Sequence, residues 1–159
     1  MELVNYKDPV LKTPCQSVDF NNPPFDILEF SKELVKFMYD NNAVGLAANQ
    51  VGVPYRIFAM RGQPENFVCI NPRIVHFSET DILLEEGCLT FPGLYVKIKR
   101  PQHVRVRFNT PNGDVMTKQF TGMTARIFQH EMDHLDGVEF FRRANLYHRQ
   151  QAFKKRNRK

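Results

Sequence analysis

Between Asp26 and Met38 the apolar residues Ile27, Phe30, Leu34, Phe37 and Met38 recur three and four positions apart, the spacing of one face of a helix that turns once in about 3.6 residues. Asn22-Pro23-Pro24 precedes the run and Asn41-Asn42 follows it, so the pattern predicts one amphipathic helix ending near Asn41. From Tyr55 to about Phe120 the signal changes to short runs of strand type: Arg56–Met60, Phe67–Ile70, Arg73–Phe77, Ile82–Leu84, Val104–Phe108 and Val115–Phe120. Val104-Arg105-Val106-Arg107-Phe108 alternates apolar with charged, and Thr110-Pro111-Asn112-Gly113 follows it, which predicts an antiparallel hairpin. Helical spacing returns at Thr124 and stops near Gly137, a glycine suited to the position just past a helix end. Strands in the middle with helices on either side predict an α+β domain and not a βαβ array.

Length and composition change this picture little. A chain of 159 residues, 42% hydrophobic and 25% charged, is near the size of one hydrophobic core, and the expectation is one catalytic domain over residues 1–159. No apolar run approaches the roughly 20 residues that span a bilayer, and charged Met1–Asp8 does not read as a secretory signal. The expectation is a soluble, unexported protein with no membrane contact. Three cysteines, Cys15, Cys69 and Cys88, are an odd number for a disulfide framework. Cys15 and Cys69 read as packing residues.

The net charge of +5 is unevenly distributed. Residues 142–159 hold eight Lys/Arg and no Asp/Glu, leaving 14 Lys/Arg against 17 Asp/Glu in residues 1–141, a balance of −3. A basic tail over 141–159 on a slightly acidic body suggests contact with a polyanion. The plainer reading is a solvated, frayed terminus.

The densest chemistry lies in His130-Glu131-Met132-Asp133-His134, an H-E-x-x-H run inside the second helical segment. Positions four apart on a helix lie one above the other, so both imidazoles can reach one ion, and Glu131 is placed to handle the protons of a water there. Ile127, His130, Glu131 and His134 fall on one side of that helix, while Phe128, Met132 and Leu135 fall on another and read as core. A catalytic site of this kind wants a third protein ligand. Phe140 stands where a metzincin protease would place its third histidine, and Glu139, five residues past His134, is poorly placed to return. His148 reads as a solvated side chain of the tail. The third ligand is therefore expected upstream, where Cys88 in Glu85-Glu86-Gly87-Cys88-Leu89-Thr90 offers a thiolate. Read in isolation, Cys88 is a small buried hydrophobe before it is a ligand.

Three separated motifs together resemble those of the peptide deformylases. They are Ala43-Val44-Gly45-Leu46-Ala47-Ala48-Asn49-Gln50, Glu86-Gly87-Cys88-Leu89-Thr90, and Gln129 to His134, with Asp8-Pro9-Val10-Leu11 resembling the family's usual opening. The resemblance implies antiparallel and mixed sheets packed around a central helix carrying H-E-x-x-H, with the amphipathic helix before them and a short basic helix or tail after them. It implies hydrolysis of the N-formyl group from the initiator methionine of nascent polypeptides, releasing formate. It implies one divalent ion, Fe(II) with zinc, nickel or cobalt able to substitute, held by Cys88, His130 and His134, with Glu131 as general base. Donors to the formyl oxygen would be the side-chain amide of Gln50 and the backbone N–H of Leu89, since charge developing on that oxygen needs donors aimed at it. Val44, Gly45, Gly87, Tyr95 and Ile127 would receive the peptide and its methionine side chain. Gly45 would leave backbone groups open to an extended substrate. The compartment implied is the cytoplasm, the host cytoplasm for a virus-encoded chain, or an organelle.

The sequence departs from the family pattern at three of these positions. Ala43 replaces a glycine and adds a methyl that narrows the groove or alters the backbone; Thr90 replaces serine and keeps the hydroxyl; Tyr95 stands where many bacterial members have arginine. For an enzyme of nascent chains, the basic tail acquires a specific partner, ribosomal RNA, held by phosphate contacts. Rival readings are a zinc endopeptidase, a cysteine hydrolase using Cys88 as nucleophile, and a ribosome- or RNA-binding module with an inert metal site.

Overall fold

The computed structural model describes residues 1–158. Seven strands and three α-helices follow one another as α1 (Ile27–Asp40), β1 (Gly45–Ala47), β2 (Ile57–Met60), β3 (Phe67–Phe77), β4 (Asp81–Cys88), β5 (Phe91–Pro101), β6 (His103–Asn109), β7 (Val115–Thr121), α2 (Gly122–Leu135) and α3 (Leu146–Asn157), with short 3-10 turns between some of them. One sheet has the order β1-β2-β3-β6-β7, the other is the β4-β5 hairpin, and every pairing between these strands is antiparallel, so neither sheet is mixed; a parallel bridge joins Gln16 to Tyr55 outside them. The architecture is α+β, as the alternation of periods predicts.

The first helix begins where Asp26 accepts a hydrogen bond from the Glu29 N–H at 3.1 Å, satisfying one of the free donors of the first turn. Phe30, Leu34 and Met38 on its apolar face pack on Leu46, Ile57, Ala59 and Ile70. Phe58 and Met60 point to the opposite side of the same sheet and meet Phe128 and Leu135 of α2. Strand β2 is therefore buried on both faces, which is why Ile57–Met60 contains no polar residue. Cys15 and Cys69 lie in the core beside α2, as packing residues should.

Helix α2 lies between the large sheet and the β4-β5 hairpin. It ends at Leu135 with Asp136 as its cap, and Gly137 follows in the left-handed region at φ +74°, where a side chain would also meet the Lys12 backbone at 2.8 Å.

Three expectations need revision. Phe67–Ile70 and Arg73–Phe77 form one continuous strand, β3, whose pairing with β6 shifts register between Ile70 and Arg73 and again between Ile74 and His76. Strand β5 has no counterpart among the predicted elements: Leu94, Val96 and Ile98 point inward, but Arg100 points inward with them and Lys97 and Lys99 alternate between, so the apolar signal is diluted. Finally, the basic tail is no frayed terminus. Asn145 caps α3 by accepting from the His148 N–H at 2.8 Å, Ala152 and Phe153 pack into a cluster with Leu94, Val96 and Phe140, and His148 is half-buried.

Candidate metal centre

Each motif reaches the site on a different element. Gln50 follows β1 in a 3-10 turn (Ala48–Val51), Cys88 ends β4, and His130, Glu131 and His134 lie on one face of α2. The Cys88 Sγ and one ring nitrogen of each histidine lie within 4.8 Å of one another, and the Sγ is 3.3 Å from His134 Nε2. The two rings sit 5.0 Å apart, one helical turn along the same face.

What orients this set lies partly outside the predicted residues. His130 Nδ1 is 2.9 Å from Glu86 Oε1, which leaves Nε2 as its metal-facing nitrogen. Arg100 donates to both oxygens of Glu86, at 2.5 and 3.0 Å, and Arg126 donates to Oε2 at 2.6 Å. Arg100 also donates to Asp133 at 2.8 Å, and Arg143 donates to the other oxygen of Asp133. Glu86, Arg100, Arg126 and Asp133 are all buried, so a closed network of charges ties β4 and β5 to the metal helix. Asn49 adds a neutral tie, donating to the His134 carbonyl at 2.6 Å. Glu86 and Asp133 stand inside the motifs, but their arginine partners come from positions that no spacing rule connects to them.

Burial works against charge on Glu86, yet the hydrogen bonds from His130 and Arg100 outweigh it and hold the carboxyl far below the usual carboxylate range. Burial would likewise raise the Cys88 thiol, but the His134 and His130 rings pull it well below the ordinary thiol value. For His130, burial favours the neutral ring, and contact with Cys88 and Glu86 raises it well above the usual value. Such a site resists staying neutral. A thiolate with two imidazoles is a donor set suited to a divalent transition metal, so the residues present fit a metal.

Glu131 and Gln50 flank these donors. Burial raises the Glu131 carboxyl above its ordinary value, ahead of the opposing influence of the two histidines. Its Oε1 is buried without a hydrogen-bond partner, while Oε2 lies against Gly45. Gln50 is held by its oxygen, which accepts from the Ala47 N–H at 2.9 Å. Its amide nitrogen therefore faces the site, 3.0 Å from Thr90 Oγ1 and 3.6 Å from Cys88 Sγ. Leu89 lies in the two-residue turn between β4 and β5.

Gln50, Cys88, Leu89, His130 and Glu131 line a cavity of about 460 Å³ that also takes in Val44, Gly45, Gly87, Tyr95 and Ile127, so every residue predicted to touch the peptide borders one space. Tyr95 is opposite Gly87 in register and its ring covers that glycine, where a Cβ would come within 2.7 Å of Cε1. Ala43 packs against the core beside α1 and also borders the cavity, as a methyl that narrows the groove would, and its φ is not in the left-handed region.

The profile of the polypeptide deformylase family matches residues 1–150. The chain belongs to this family. Peptide deformylase of Aquifex aeolicus is 35% identical over 160 residues, covering 97% of this chain and 93% of that protein. The chloroplastic peptide deformylase 1B of Oryza sativa is 33% identical over 92% of this chain, but only 55% of that protein is covered. The chain spans about half the length of this and similar plant relatives. Among solved structures, Arabidopsis thaliana peptide deformylase 1B with an inhibitor superposes at a TM-score of 0.90, with 31% identity, covering 99% of this chain and 89% of that one. The Synechococcus elongatus deformylase in complex with actinonin superposes at 0.89, with 32% identity and coverage of 99% and 86%. The resemblance read from three motifs thus extends to almost the whole chain. Nothing in these comparisons supports the endopeptidase or the inert RNA-binding module.

Proposed function

We propose that this deformylase removes the N-formyl group from the N-terminal methionine of nascent polypeptides, as a single catalytic domain whose basic segment is 141–159. The observation that carries the reading is one sulfur and two imidazole nitrogens within 4.8 Å of one another, of which Cys88 and His130 border the cavity that Glu131 and Gln50 also line. Cys88, His130 and His134 would hold one divalent ion, Fe(II) in our reading, with zinc, nickel or cobalt able to replace it. When bound, the ion supplies Lewis acidity to water and to the formyl oxygen.

The remaining chemistry belongs to the chain. Glu131 takes a proton from water as the water oxygen bonds to the formyl carbon, and returns it to the amine nitrogen as the carbon–nitrogen bond breaks. The products are formate and a free amine. Burial suits Glu131 to this exchange, because a carboxyl above its ordinary value is a better proton acceptor. Gln50 Nε2 and the Leu89 N–H donate to the oxygen on which charge develops. Val44, Gly45, Gly87, Tyr95 and Ile127 enclose the methionine side chain, whose burial contributes on the order of 1.5–3 kcal/mol.

The test compares wild type with Glu131→Ala on a formyl-methionyl peptide, measuring formate release alongside metal content. Retained metal with lost formate release is expected. Internal cleavage of unformylated peptides, with formyl substrates untouched, would overturn the reading in favour of an endopeptidase.

For the basic segment, we propose docking on ribosomal RNA through α3, with the chain working where formylated proteins are made, in cytoplasm or organelle. The support is charge: Arg149, Lys154, Lys155, Arg156 and Arg158 lie on or just after a helix with no acidic residue. Because α3 is packed on β5, charge reversal on its exposed face is the suitable test, and truncation would strip the core.

A further inference from the structure

Beside the catalytic cavity lies a second, smaller cleft of about 200 Å³, assembled from four separate segments. Tyr6, Lys7 and Lys12 come from the N-terminal stretch, Glu139, Phe141 and Arg142 from the turn after α2, and Phe153 and Arg156 from α3, with Phe91 at its base. Phe91 also lines the catalytic cavity, so the two spaces share that residue.

Two properties of this cleft go together. Its walls are aromatic: Tyr6 meets Phe91 at 6.0 Å, Phe91 meets Phe141 edge-on at 5.4 Å, and Phe141 meets Phe153 at 5.3 Å. Its charge is positive: four cations face one carboxylate, a balance of +3, and that carboxylate, Glu139, is already engaged by Arg142 at 2.9 Å. Three of the cations rest on the rings, Lys7 over Tyr6 at 5.6 Å, Arg142 over Phe141 at 5.5 Å and Arg156 over Phe153 at 5.1 Å, which holds them at the cleft.

We propose that this cleft binds single-stranded RNA, taking one unpaired base against the exposed Tyr6 ring and the adjoining phosphates on Lys7, Lys12 and Arg156. Aromatic faces interleaved with cations are the means by which single strands are held without sequence preference. An acidic peptide would satisfy the cations and leave the rings unused. A membrane face would need apolar side chains projecting outward, whereas Phe91, Phe141 and Phe153 pack into one another. A duplex keeps its bases stacked inside and presents only phosphate. The proposal rests on the polyanion-docking reading of the basic segment and goes past it by assigning the contact to a cleft built largely from other parts of the chain.

The experiment is fluorescence anisotropy of a labelled octauridylate against the full chain at physiological ionic strength and across a salt series. Lys7→Glu with Lys12→Glu, and separately Tyr6→Ala, should each weaken binding by about tenfold, while Tyr6→Phe binds as wild type. The double reversal should also flatten the logarithmic salt dependence by about 0.7 for each phosphate that the two lysines neutralise in wild type. Lys154→Glu with Lys155→Glu makes the same charge change outside the cleft lining and, whatever it does to docking on the ribosome, should cost binding of this short oligonucleotide only about twofold, through screened long-range attraction. Formate release from a formyl-methionyl peptide should be unchanged in all of these variants, which verifies folding.

Equal losses for the two double reversals overturn the cleft and leave the docking reading intact; no binding by wild type overturns both. Competition by inorganic phosphate together with a silent Tyr6→Ala overturns the base-stacking contact. Tighter capture by phosphatidylglycerol vesicles than by the oligonucleotide overturns the RNA assignment.

Discussion

The carboxylate of Glu131 occupies the space that a side chain on Gly45 would need: a Cβ there would lie 2.6 Å from Oε2 and 3.0 Å from the carboxyl carbon. The glycine thus does more than leave backbone open to a peptide, since it makes room for the group we assign as proton carrier. Gly45→Ala should push Glu131 aside and lower formate release about 100-fold, the scale of a displacement near 1 Å at a reacting group. Thermal unfolding should show a loss of about 1–3 kcal/mol from overpacking. A variant with near-normal turnover would sink this account of the glycine.

Thr90 receives a similar role through Gln50. Its Oγ1 is the acceptor 3.0 Å from Gln50 Nε2, and with the Ala47 contact it fixes which end of the amide faces the site. Thr90→Val keeps the shape and removes the acceptor. Turnover should fall by about tenfold, less than the loss of a whole oxyanion donor, with KM nearly constant, while Thr90→Ser retains activity. Steady-state kinetics on one formyl peptide separates these outcomes.

The three thiols should respond differently to alkylation. Chelating the metal should leave Cys88 the only thiol reactive toward iodoacetamide near neutral pH, because its thiolate is favoured there; restoring metal should protect it. Activity should vanish on chelation and return with metal, whereas a cysteine hydrolase would keep working. Cys15 and Cys69 should react only on unfolding. Burial pushes the Cys15 thiol up to about 11, chiefly against the favourable influence of Arg56. The unfolded thiol ionises near 9.0 while the folded one stays neutral, so the stability this burial contributes is complete below pH 9.0 and lost as pH rises through about 11. Cys15→Ala should flatten urea-unfolding stability across that window.

The buried charge network makes a strong demand on stability. Arg100→Leu leaves Glu86 and Asp133 each short of a partner inside the protein, and removal of one member of such a set costs about 3–5 kcal/mol. Urea denaturation should register that loss, accompanied by weaker metal retention as Glu86 loses its hold on His130. The folded Glu86 carboxyl is depressed below its ordinary 4.5, so its contribution is present above that pH and lost as acid titrates the folded state. Wild type should therefore show acid-induced loss of stability that Glu86→Gln, already destabilised, shows less steeply.

How far these features are legible along the chain depends on distance in sequence. The two histidines and Glu131 share one helix, and their four-residue spacing dictates that they share a face. Cys88 as third ligand is an inference by exclusion, supported by the resemblance of three motifs. Strand β5 escapes a pattern reading because its inward row includes Arg100, an outlier that only the network with Glu86 and Asp133 explains. The basic terminus reads as solvated because its apolar residues, Ala152 and Phe153, are too few to signal a packed helix without the β5 surface that receives them.

By itself the sequence determined the alternation of periods, hence the α+β class, the core face of each long helix, and a set of motifs sufficient to name a family. These are local properties, set by side-chain spacing on helices and strands. Tertiary structure alone decided which arginines neutralise Glu86 and Asp133, why a side chain at Gly45 would displace Glu131, and that Lys7, Phe141 and Arg156 border one cleft. Such pairings depend on how separate elements are packed, and packing joins residues whose separation along the chain carries no periodic signal.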